Sequence, residues 1–320
     1  MDLPRRRFAG AAAGLFLAGP VVAQMTDRPI RLVVGFPPGG GLDIVTRVIA
    51  QNMTPHLNQT VIVDNKPGGD GIISAEAVAK SAPDGRTLYV GSASAFIATP
   101  LLRGGAVSYD PFKDFTPISQ LGLFTLIWVA APSMPVSNLA EFVAYVRARP
   151  GQLNYASASS TGRLAAIQLL AQHKLDMKHI PYKGDTPGLT DLMGDRVHLM
   201  VTTVATARGF VKEGKMRPLM LQRESRTPVL PDVPTGKEAG AVIRISPWSG
   251  LFGPANMPPA VVDRVNQALR AAVSGKEVRD RFEQMGFEPA VTTPQEMAAI
   301  HRKEYEVFRT AIQEDGIKFD

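Results

Sequence analysis

The segment "GFPPGGGLDIVTRV" at 35–48 sets two prolines and three glycines between an apolar run of strand character and one of helix character. A strand that passes through a glycine-rich turn into a helix leaves main-chain N–H groups unpaired at the helix start, with the positive end of the helix dipole behind them. Such a turn suits an anion. The loop lacks the Lys and Ser/Thr that follow the last glycine of a nucleotide P-loop, and it lacks G-x-G-x-x-G spacing. Pro37 and Pro38 stiffen it and remove two donors, leaving Gly39, Gly40 and Gly41 to approach a ligand. A carboxylate fits this cradle better than a phosphate cofactor. The plainer alternative is a ligand-free strand-to-helix turn, and Asp43 reads as a first-turn cap rather than a ligand contact.

The same strand–loop–helix unit recurs. Strand-like "IRLVVGF" (30–36), "TVIVDN" (60–65) and "RTLYVG" (86–91) alternate with helix-like 42–53, 74–82 and "SASAFIATPLL" (92–102). "QLNYAS" (152–157), "KHIPY" (178–182) and "RVHLMV" (196–201) repeat the pattern in mid-chain. An α/β fold with mostly parallel sheets follows. Between the halves, 108–132 turns from a proline-punctuated loop into a long apolar run suited to crossing between lobes, and 216–225 is read as the return. The expected organisation is a discontinuous first lobe, 24–122 with 220–320, and a second lobe, 123–219, around a cleft. The C-terminal third reads as structural helices, Pro259 opening one and Thr293 to Glu296 forming a capping box with Pro294 at the first helical position.

"MDLPRRRFAGAAAGLFLAGPVVAQ" reads as an export signal over 1–23, with an apolar core too short for a membrane span and a small-residue cleavage pattern at Val21-Val22-Ala23. Arg5, Arg6 and Arg7 resemble a twin-arginine signal, though a general secretory signal fits the same residues. The expected mature chain starts at Gln24, extracytoplasmic and not membrane-spanning. The chain has no cysteine, which excludes disulfides, a thiolate nucleophile and Cys-ligated metal centres. The net charge of +6 falls to +4 without residues 1–23. No run of basic residues with interleaved aromatics is present, so nucleic acid is not an expected partner.

Two further loops share the first one's design. "GSASAF" presents Ser92, Ala93 and Ser94, and "YASASSTGRL" presents Ser157, Ala158, Ser159, Ser160 and Thr161, each at a helix start facing the same cleft. Serines there are also ordinary caps. Arg163 is a candidate for a bidentate carboxylate contact or a solvated arginine, and Tyr182 and Lys183 in "HIPYKG" are candidates to close over a ligand. No nucleophile–base motif occurs, and His56, His173, His179, His198 and His301 have no metal-ligand spacing, so neither catalysis, metal nor cofactor is expected.

Seven motifs in order carry a resemblance: "RPIRLVVGFPPGGGLDIVTR" (28–47), "APDGRTLYVGS" (82–92), "YDPFKDFTPIS" (109–119), "LNYAS" (153–157), "PYKG" (181–184), "LPDVPTGKEAG" (230–240) and "PWSGLFGPANMPP" (247–259). Together they resemble the Bug-type solute-binding receptors of tripartite tricarboxylate transporters. The resemblance implies a two-lobed periplasmic-binding-protein fold of type II, with two hinge strands and lobes that close on a small organic carboxylate. It implies delivery of that solute to membrane permease subunits, without catalysis, by a monomer. In the family the proline-glycine and hydroxyl-rich loops hold the ligand mainly through main-chain groups and bridging water. That carries over to Phe36, Pro38, Gly39, Gly40 and Gly41, to Ser92 through Ser94 and to Ser157 through Thr161. The chain departs in a shorter "YASA" loop, in Arg163 where histidine is common, and in Thr202 where aspartate is common. Loss of that acid predicts a ligand rich in carboxylate and poor in amine. An exported enzyme using His179 or Lys183 as base, and a sensory protein docking on a membrane receptor, are the alternatives.

Overall fold

The computed structural model describes residues 28–104 and 107–314; the export-signal expectation for 1–23 lies outside them. The chain begins with β1 (Ile30–Val34), α1 (Gly41–Leu57), β2 (Val61–Asn65), a 3-10 turn (Gly69–Gly71), α2 (Ile72–Ala79) and β3 (Thr87–Ser92). A π-turn (Ser94–Ala98) runs into α3 (Thr99–Leu102) before β4 (Phe115–Phe124). There follow β5 (Leu126–Ala130), α4 (Leu139–Arg147), β6 (Asn154–Ser157), α5 (Ser160–His173), β7 (Lys178–Pro181), α6 (Asp185–Met193), β8 (Leu199–Thr203), α7 (Val204–Lys212) and β9 (Arg217–Gln222). The chain ends with β10 (Trp248–Pro254), α8 (Pro259–Ser274), α9 (Lys276–Gln284), β11 (Phe287–Pro289) and α10 (Pro294–Glu314).

Two sheets organise these elements, one ordered β11-β4-β10-β3-β1-β2 and the other β7-β6-β8-β5-β9. The α/β, two-lobed reading holds, but the sheets are mixed rather than mostly parallel. The βαβ units supply the parallel pairs, β1 with β2 and β3, and β6 with β7 and β8. Strands β1, β3, β6 and β8 all end at the cleft. A strand that enters a lobe from the cleft must run the opposite way, and β10 and β5 do so, pairing antiparallel with β3 and β8.

Thr125 alone separates β4 in the first sheet from β5 in the second, so the first crossing falls inside the expected 108–132 segment. The return is later than expected. β9 pairs with β5, which places 217–222 in the second sheet rather than at a crossing. The chain then stays on the second lobe: Gln172 of α5 donates to Gly240 O and accepts from Val242 N–H. Gln222 Nε2 reaches Ile245 O at 2.7 Å, and Phe124 N–H meets Pro247 O at 3.0 Å. The boundary at 220 therefore moves to about Pro247, because the strand-like pattern of 217–222 fills a sheet edge before the chain crosses.

Packing in the first lobe fixes the cleft loops. Phe96, fully buried in the π-turn, lies 4.5 Å from Phe252, 4.8 Å from Phe115 and 5.2 Å from Tyr89, centroid to centroid. These aromatic contacts anchor the segment that carries Ser92 to Ser94. The expected capping box is formed, Thr293 N–H donating to Glu296 Oε2 at 2.7 Å and Glu296 N–H to Thr293 Oγ1 at 3.2 Å.

Candidate functional site

The 35–41 loop owes its shape to Asp43. Its Oδ2 accepts from Gly39 N–H at 2.9 Å and from Arg47 Nε at 3.0 Å, while Asn65 Nδ2 donates to Oδ1 at 2.9 Å. Burial alone would raise this carboxyl, but the hydrogen bonds from Arg47, Gly39 and Asn65 outweigh it and hold the group below its ordinary value. Asp43 is thus a loop clamp: it stands in the first turn of α1 but accepts from Gly39 N–H, ahead of the helix, so the expected helix cap is corrected. Gly39 stands at φ +84°, which a side chain adopts only with strain. Gly41 is required for a different reason: a Cβ there would sit 2.4 Å from Thr203 Oγ1 of the other lobe. At that point the lobes touch.

They touch again on the opposite rim. Ser94 Oγ lies 2.8 Å from Thr161 Oγ1 and accepts from Thr161 N–H at 3.2 Å, Thr99 Oγ1 lies 3.1 Å from Ser160 Oγ, and Asp70 Oδ2 accepts from Ser160 N–H at 2.7 Å. With Gly162 N–H turned back to Ser159 Oγ at 3.1 Å, the start of α5 spends its donors on lobe contact and capping.

Between these rims lies a cavity of about 200 Å³. Of the expected site residues, Phe36, Pro38, Gly40, Gly41, Ser92, Ala93, Ser94, Ala158, Ser159, Thr161 and Thr202 line it together. The N–H groups of Leu42, at the start of α1, and of Ala93 and Ser94 donate to no protein acceptor among the described residues. They are free to meet an anion.

The other expected residues do not line the cavity. Gly39 is held by Asp43. Ser157 Oγ is 2.7 Å from His179 Nε2. Arg163 lies one turn inside α5 and bonds the Tyr155 hydroxyl, so the expected carboxylate clamp is corrected. Tyr182 donates to Asp191 Oδ2 at 2.7 Å, and Lys183 is exposed. Burial and the neighbouring Arg163 guanidinium hold His179 down at about 4, which makes it a weak base away from the cavity.

Several lining residues escape the sequence reading. Phe124, Leu126 and Trp248 form an apolar wall at the hinge, and Trp248 Nε1 is buried without a partner. Trp248 sits in the quoted "PWSG" motif, and its type was the available signal. Asp185, directly after "PYKG", also lines the cavity. Burial pushes its carboxyl above the ordinary value, opposed by the Thr202 hydroxyl, the Gly41 N–H and the Thr206 hydroxyl, whose Oγ1 is 3.5 Å away. Thr202 Oγ1 is itself buried without a hydrogen bond of normal geometry. Thus the acidic charge missing at 202 is present at 185, and the expectation of a site without it is corrected.

Two α/β lobes joined by two strands, with a small-molecule cavity walled by both, define a solute-binding protein of the periplasmic type. Residues 45–317 match the family described as "Tripartite tricarboxylate transporter family receptor". The chain belongs to that family. Among solved structures it is similar to Rpa4515 of R. palustris with adipate, 30% identical at TM-score 0.87 over 91% of this chain and 98% of that one. It is also similar to the periplasmic binding protein BugD, 28% identical at TM-score 0.85 over 91% and 99%. MatC of Rhodopseudomonas palustris with bound malate is 31% identical at TM-score 0.81 over 89% and 99%.

Proposed function

We propose that this chain is a periplasmic receptor that captures a small organic carboxylate and presents it to the membrane subunits of a tripartite transporter. The observation that carries the reading is the inter-lobe cavity, which Ala93, Ser94 and Leu42 line with free N–H groups and which no basic side chain among the described residues joins. Main-chain donors at helix starts hold a carboxylate without the cost of desolvating a cation. The adipate and malate in the similar structures belong to the same chemical class.

Binding works by closure. The lobes are 28–124 with 248–314, and 126–246, hinged at Thr125 and Pro247. Only the closed arrangement brings both walls to the solute, so the solute stabilises it. The protein binds without turnover, since His179 is a depressed base outside the cavity and Lys183 is exposed. Export precedes this role, by the twin-arginine route if Arg5 to Arg7 are read as such.

The test is titration calorimetry of residues 24–320, refolded to strip carried solute, against small carboxylates with sugars as controls, each ligand assayed afterwards for chemical change. One-to-one binding of an unchanged carboxylate is expected. Consumption of the ligand, or binding of sugars alone, overturns the reading.

A further inference from the structure

Asp185 is the only titratable side chain lining the cavity among the described residues, and no lysine, arginine or histidine joins it there. It stands at the start of α6 and faces the start of α1 in the other lobe, with Gly41 N–H turned towards it. Its hydrogen bonds are incomplete. Thr206 Oγ1 is at 3.5 Å, the edge of a useful contact, and the adjoining Thr202 Oγ1, 2% exposed by residue, meets the carboxyl only outside normal hydrogen-bond geometry. A half-buried carboxyl and a buried hydroxyl side by side form an acceptor-rich patch that suits a donor.

Charge arithmetic decides which donor. A bound carboxylate already sets one anion against the neutral N–H groups of the first lobe. Asp185, when ionised, adds a second anion in the same small space, and no cation among the described residues lines it. A dicarboxylate would add a third, and like charges in a partly desolvated cavity repel strongly. An ammonium group on the solute instead pairs with Asp185, donates to Thr202 Oγ1 and leaves the closed cavity balanced.

We propose that Asp185, with Thr202 beside it, is the specificity-determining group of this cavity and selects an amino-carboxylate, a small acid whose second polar end is an amine. The proposal rests on the receptor reading above. It differs from it in naming the solute's other end.

The test uses matched probe pairs of equal chain length: 4-aminobutanoate against succinate, 5-aminopentanoate against glutarate, and 6-aminohexanoate against adipate. Affinities are measured by calorimetry on the wild-type protein and on Asp185→Asn. In at least one pair, the wild type should bind the amino acid tenfold or more tighter than the diacid. Asp185→Asn should cut that ratio at least tenfold, because its amide donates to a carboxylate and no longer attracts an ammonium. Each ratio is taken on one sample, so partial misfolding lowers both members alike and leaves it unchanged. A wild type that prefers the diacids overturns the proposal while sustaining the receptor reading. An unchanged ratio in Asp185→Asn also overturns it. Failure of every carboxylate to bind overturns both.

Discussion

Asp70 ties the two lobes together, and its burial makes closure sensitive to pH. Its Oδ2 accepts from Ser160 N–H at 2.7 Å, the first residue of α5 in the second lobe, and from Thr99 Oγ1 at 3.0 Å in its own lobe. Its Oδ1 is buried without a partner, and the residue is held at φ +57°. Burial pushes the carboxyl from 3.8 up to about 6, against the pull of Ser160, Thr99 and the Arg103 charge. When the lobes part, the carboxyl regains water and its ordinary value. The closed form therefore binds the proton more tightly. Its extra stability is fully present below the open-form value and is lost as pH rises through about 6. The full loss is at most about 3 kcal/mol. Between pH 5 and 7.5 it amounts to about 1.4 kcal/mol, or about tenfold in ligand affinity. The assay is calorimetry at both pH values on wild type and Asp70→Asn, the same ligand in each, with proton uptake read from buffers of different ionisation enthalpy. Ligand and Asp185 titration remain in the variant, so the difference between the two proteins isolates Asp70. Equal pH slopes in the two proteins would falsify the latch.

Gly41→Ala should weaken ligand binding tenfold or more without lowering the melting temperature, because the new Cβ meets Thr203 Oγ1 at 2.4 Å only when the lobes close. Adding Thr203→Ala should restore part of the affinity, measured by the same titration. Arg163→Ala should leave affinity within about twofold and lower the melting temperature, since the guanidinium serves Tyr155 rather than the cavity. A ligand-induced change in tryptophan fluorescence should vanish in Trp248→Phe, because the chain's other tryptophan, Trp128, is buried in the second sheet away from the cavity.

The parts of this protein that were legible in its sequence are those governed by local chemistry. Glycine and proline at 35–41, hydroxyls after β3 and β6, and the Thr293–Glu296 cap each act within a few residues, and period and composition reveal them. What stayed hidden depends on which lobe a segment packs against. The "RPLMLQ" of β9 has strand character, but nothing in it says that it pairs with β5. Arg163 has the right chemistry for a carboxylate, yet the helical turn after Ser159 carries it to Tyr155. The hydroxyls of Ser94, Ser160 and Thr161 read as ligand contacts, and the structure uses them to join lobe to lobe. Asp185 is the least legible of the cavity residues. An acid in the first turn of a helix is an ordinary dipole partner, and only the fold reveals that it faces Thr202 and a cavity that no cation among the described residues lines. Charge at a binding site is thus a property of the assembled wall: a substitution at 202 is interpretable only with the residue that stands opposite it.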